Sequence, residues 1–226
     1  MQNDLGNYNP YSAPTNTLER PSGGNPFREI WLHPRVTIRN IISRDATHHV
    51  LMLGAISGIG ETLDRASTRS IGDQIPFIAV LAIAIILGPL GGLLSLYVGG
   101  ALIWVSGRMI GGEGSGQTIR AAIAWASVPA ICALPLWGIQ LALIGEEMFT
   151  TATPRMDASP TLLTVLLSTA VLEMVLAIWG FVLLCNTIAE VQGYVSAWKG
   201  LGNLFLAVLL VVVPVMLLVF GMIAVL

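Results

Sequence analysis

The chain has 226 residues, 54% of them apolar and 11% charged, with a formal net charge of -2. This composition excludes a soluble protein whose helices each present a charged outer face, and the near-neutral balance supplies neither a basic field for nucleic acid nor an acidic lure for basic partners. Cys132 and Cys185 both fall inside apolar runs, where a thiol behaves as a small hydrophobe, and they say nothing of redox compartment.

Residues 1–24 are polar and rich in Pro, Gly, Asn and Ser, with no apolar core of the signal-peptide kind, and are expected to form a disordered cytoplasmic tail. Asn25-Pro26 is a helix-start signature, because a capping side chain satisfies free amides and proline suits the first turn. Phe27, Ile30 and Trp31 share a face of the short helix that follows. His33-Pro34 interrupts it, and a second short helix sets Ile38, Ile41 and Ile42 on one side, flanked by Arg35 and Arg39. Two readings stand side by side. In one, the pair are interfacial helices, with Trp31 at headgroup level and Arg35 and Arg39 reaching lipid phosphates; in the other, they cap a helical bundle.

From Val50 onward the apolar residues gather into long runs, and residues 77–87 and 204–226 hold no charge at all. A bilayer core of about 30 Å needs about 20 apolar residues per helix. Spans are expected at about 48–63, 75–106, 118–144, 161–189 and 203–226, forming one compact all-α polytopic membrane domain over residues 25–226. The first is short, and Gly54 and Gly58 allow a neighbour to approach closely. The second is long for one helix and short for two, with Pro89 marking a kink beside Gly88, Gly91 and Gly92; the third is interrupted by Pro129 and Pro135. Charge chooses between one helix and a hairpin at the second segment. Five spans with a cytoplasmic N-terminus place eight Lys and Arg inside and three outside, whereas a hairpin leaves six inside and five outside. Five spans follow, with the C-terminus outside.

Three stretches resemble the Yip domain family of Ypt/Rab-interacting membrane proteins, in its prokaryotic form. They are Asn-Pro-Phe-x-x-Ile-Trp-x-x-Pro-Arg-x-Thr-Ile-Arg from Asn25 to Arg39, Gly111-Gly112-Glu113-Gly114-Ser115 leading into Thr118-Ile119-Arg120, and Ala189-Glu190-Val191-Gln192-Gly193-Tyr194 followed by Trp198-Lys199. The resemblance implies a five-helix membrane domain with a cytosolic N-terminal segment. It implies little about activity. Eukaryotic relatives are associated with vesicle trafficking and prenylated small GTPases, but the acidic and tyrosine-containing signatures of their cytosolic segments are missing from this chain, which counts against GTPase binding.

Glu173 is the ionisable residue nearest the middle of a span, and such groups usually face a bundle interior. At helical spacing it aligns with Thr169, Ala177, Gly180 and Thr187, a small-residue stripe suited to close packing. Glu173 either handles protons or cations against carbonyls freed by Pro129 and Pro135, or is a neutral structural acid bonded to Gln140 or Asn186. The glycine-rich stretch at 111–116 lacks both the preceding strand and the Gly-Lys-Ser/Thr of a P-loop, and reads as a flexible cytoplasmic turn. His33, His48 and His49 complete no metal-ligand spacing, and Glu61, Asp64, Glu146 and Glu147 read as solvated loop charges. The tryptophans read as core filling or interface anchors. No catalytic set, cofactor or metal is expected. A non-enzymatic scaffold or adaptor of the prokaryotic inner membrane, working on lipids, on other membrane proteins or on further copies of itself as a homo-oligomer, stands against a small ion or proton transporter built around Glu173.

Overall fold

A computed structural model describes residues 24–225. The tail expected over residues 1–24 lies, apart from Gly24, outside them. Among the described residues, nine α-helices follow in order: α1 (Pro26–Glu29), α2 (Pro34–Asp45), α3 (Val50–Thr68), α4 (Phe77–Met109), α5 (Gly116–Ala126), α6 (Val128–Leu143), α7 (Pro154–Asp157), α8 (Pro160–Val191) and α9 (Ala197–Val225), with 3-10 turns at Ile71–Asp73 and Gly145–Phe149.

Among the described residues, four segments are long and apolar enough to cross a membrane: Phe77–Met109, Gly116–Leu143, Pro160–Val191 and Ala197–Phe220. The second of them is α5 and α6 together. Residues Phe77–Met109 form one helix, not a hairpin, and Pro89 sits inside it without ending it. Near Pro129, α5 ends at Ala126, Ser127 intervenes, and the proline occupies the first turn of α6, where a missing amide costs nothing. Pro135 lies inside α6.

Helix α3 is the expected first span, and it runs five residues past the sequence boundary to Thr68. Glu61, Asp64 and Arg65 in its last third keep it out of the set of strongly apolar helices. It nonetheless runs the length of the bundle beside α4. Gly54 faces Leu93 and Leu96 near its start, Gly58 meets Gly88 and Gly92 at its middle, and Ser67 Oγ donates to the Met148 carbonyl at its far end. At the crossing, a methyl group on Gly58 would come within 2.6 Å of Gly92 Cα, so the backbones touch with no room for a side chain.

The N-terminal helices cap one end of this bundle. Ile30, Ile38 and Ile41 lie in the main core with Trp125, Ile119 and Ile188, so the apolar face of α1 and α2 is spent on protein. Asn25 Oδ1 accepts from the Phe27 amide at 3.0 Å, as its position predicts. Phe27 then packs on Trp125 with ring centroids 4.9 Å apart, and Trp125 Nε1 donates to the His48 carbonyl.

Candidate functional site

The three sequence stretches singled out above meet at the end that α1 and α2 cap. Gln192, just past α8, is buried at their centre. Its Oε1 accepts from the Gly114 amide at 3.0 Å, its Nε2 donates to the Ile103 carbonyl at 3.3 Å, and its own carbonyl accepts from the Glu113 amide at 3.2 Å. Gly107, Gly112 and Gly114 wrap it so closely that a methyl group on any of them would collide with its amide. The glycines are therefore needed for approach, and the 111–116 stretch is a clasp hydrogen-bonded to Gln192 where a free turn was expected. Ser115 and Thr118 form a reciprocal cap that launches α5 from the clasp.

Around Gln192 the polar groups are paired. Asn203 Nδ2 donates to the Ile103 carbonyl at 3.1 Å, Ser106 Oγ donates to the Asn203 carbonyl at 3.2 Å, and Tyr194 Oη donates to the Gly107 carbonyl at 3.3 Å. Burial pushes the Tyr194 phenol up, which keeps its proton available for that bond. From the opening motif, Arg39 Nε pairs with Glu190 at 2.6 Å, and Arg35 Nη1 donates to the Val195 carbonyl at 3.0 Å. Arg35 and Arg39, set at lipid phosphates in one of the two sequence readings, here dock onto the end of α8 and the α8–α9 connection. Trp31 is half-buried against the core.

Glu173 belongs to a second polar group, deep between α6 and α8. Gln140, 1% exposed, donates through Nε2 to Thr169 Oγ1 at 2.8 Å and to Glu173 Oε1 at 3.0 Å. Thr169 Oγ1 in turn donates to the Val165 carbonyl at 2.8 Å. Gln140 Oε1 is buried without a partner among the described residues. Of the two partners expected for Glu173, Gln140 is the one it has; Asn186 bonds the Val182 carbonyl on its own helix. Glu173 bonds no carbonyl of the proline-broken span. Thr187 does, donating to Ala122 at 3.2 Å, and Gly180 lies against Ala126 and Pro129, so the stripe on α8 faces α5 and α6.

Sequence reasoning missed Gln192, Asn203 and Glu147. Glu147, read as a solvated loop charge, is buried, and its carboxylate accepts from the Arg155 and Met156 amides at 2.8 and 2.9 Å at the start of α7. The signal was Pro154 after Thr153, a helix start needing an anion.

A bundle of long apolar helices whose buried polar side chains mostly bond backbone or one another defines an integral membrane protein. The family model for the Yip1 domain matches residues 28–223, and the chain belongs to that family. A search of curated proteins found no match, and neither did a search of solved structures.

Proposed function

We propose that this Yip1-domain protein is a non-enzymatic scaffold or adaptor of the prokaryotic inner membrane, crossing it five times with the N-terminus cytoplasmic and the C-terminus outside. The observation that carries the reading is the convergence of all three family motifs on one end, where they build a hydrogen-bonded platform around Gln192. Residues that characterise the family are used here to fix a surface for lipids or protein partners. Helix α3 supplies the fifth crossing. At about 1.5 Å per residue it reaches about 28 Å. Parity supports it: the contacts of Arg35 and Arg39 put the N-terminal segment at the same end as the α8–α9 connection, and an odd number of crossings between them would not.

The Gln140–Thr169–Glu173 group ties α6 to α8 in this reading and fixes their register. Its unpartnered Oε1 is the observation that favours the transport reading. Proton and potassium flux into liposomes holding the purified protein separates the two. No flux above that of empty vesicles is expected, with natural protein and Glu173→Gln eluting alike; flux that Glu173→Gln removes would overturn the scaffold reading.

A further inference from the structure

A cavity of about 330 Å³ opens at the motif end between α3, α4 and α5, lined by Thr47, His49, Leu51, Tyr97, Gln117 and Arg120 among others. Arg120 lies one turn inside the α5–α6 span. Its stem fills a slot left by Gly100, where a methyl group would come within 3.0 Å of Arg120 Cγ, and its guanidinium lies 4.6 Å over the ring of Tyr97. No ion pair joins it to a described residue. The cavity lining contains no carboxylate. The nearest in sequence, Asp45, is occupied by the Thr47 amide and hydroxyl at 2.8 and 2.6 Å.

A charge held this way at the edge of a bilayer needs a counter-charge, and within a span arginines pair with carboxylates, carbonyls or lipid phosphates. Depth places the cavity at such an edge. Counting from Phe77 at the start of α4, Tyr97 lies about 30 Å along the helix at about 1.5 Å per residue, the thickness of the hydrocarbon core. The walls are two-natured. Arg120, Gln117 and His49 offer donors, while Leu51 and Met52 are exposed apolar side chains of the kind acyl chains run against.

We infer that this cavity binds an anionic phospholipid, with the Arg120 guanidinium on the headgroup phosphate and the acyl chain along Leu51 and Met52. A planar fork held over an aromatic face is preorganised for a phosphate diester. The apolar wall and the depth select a lipid over a soluble phosphate. The inference deepens the scaffold reading by naming its lipid, and it rests on that reading for the membrane crossing of α4, which sets the depth of Tyr97.

The test is native mass spectrometry of the purified full chain released from nanodiscs of phosphatidylcholine mixed with phosphatidylglycerol. The natural protein should retain phosphatidylglycerol preferentially. Arg120→Gln should lower that retention by about tenfold, the size of one charge-assisted contact, and Arg120→Lys should fall between. Gln117 is exposed, so Gln117→Glu leaves the fold intact while placing a carboxylate beside Arg120, and it should abolish the preference even if Arg120→Gln does not fold. Glycerol 3-phosphate should not displace the lipid. No preference in the natural chain, an unchanged preference in Gln117→Glu, or displacement by glycerol 3-phosphate at matched concentration would overturn the inference. Sidedness is read separately: single cysteines replacing Ser43 and Ser70, which flank α3, should label from opposite faces of sealed vesicles. Same-face labelling with the lipid preference intact would sink the five-crossing placement and leave the binding site standing.

Discussion

Gln192 and Gln140 do the same job at two depths, each using a primary amide to join helices where water is scarce. Their legibility differed. Glu173, and through it Gln140, could be picked out because a lone acid in an apolar run is conspicuous. Gln192 sits just beyond a helix end, where a polar residue looks solvated, and only the approach of Gly107, Gly112 and Gly114 from a distant segment reveals its burial. Replacing Gln192 with Ala leaves the Gly114 amide unpaired inside the clasp, and should cost about 1–3 kcal/mol in a reversible unfolding titration. Trp125 is the larger hub. Trp125→Ala removes the seat of Phe27 and the donor to His48, and about 3–5 kcal/mol of destabilisation is expected, read as a lower melting temperature in detergent. The Arg39–Glu190 pair is a smaller matter, since the arginine side chain is 64% exposed; Arg39→Gln should shift stability by less than about 1 kcal/mol, with the shift shrinking at high salt.

At the level of elements, the long apolar segments were readable from hydropathy, and their positions in the structure match within a few residues except at two places. Helix α3 runs on to Thr68 because its charged last third lies at the end of the bundle, where Arg65 pairs with Glu61 and Ser67 reaches Met148. Helix α9 begins at Ala197, six residues before the expected start, since Ser196 Oγ accepts from the Trp198 amide and a stretch with Gly200 and Gly202 reads as loop until its packing is seen. Gly200 packs directly on the Cys185 carbonyl of α8. Pro89 was read as a kink in one long span, and α4 runs through it as one helix beside Gly88 and Gly92. The glycine crossing of α3 and α4 was legible at Gly54 and Gly58, but its partners were not, because spacing names one half of a contact. Gly58→Ala has no space on the α4 backbone, and a loss of about 1–3 kcal/mol or outright failure to fold is expected; Gly91→Ala, on the same helix with nothing within 4 Å, should be silent in the same melting assay.

On the scale of the whole molecule, the family and the all-helical membrane class were open to sequence reading, while the meeting of the three motifs was not. Each motif is local, and nothing in their spacing says that residues 25–39, 111–120 and 189–199 share one end of a bundle. Arg39 and Glu190 stand 151 positions apart, and Arg35 and Val195 stand 160 apart. This separation has a consequence for how the chain is made. Synthesis proceeds at about 5–20 residues per second, so the N-terminal helices wait on the order of ten seconds before the end of α8 emerges to receive them. Throughout that interval Ile30, Ile38 and Ile41 lack part of the surface that later covers them. A chain halted after residue 159 should leave the 25–45 segment open to protease, and one halted after residue 226 should protect it. The cap is thus made first and seated only once α8 is complete, with part of its apolar face uncovered in between.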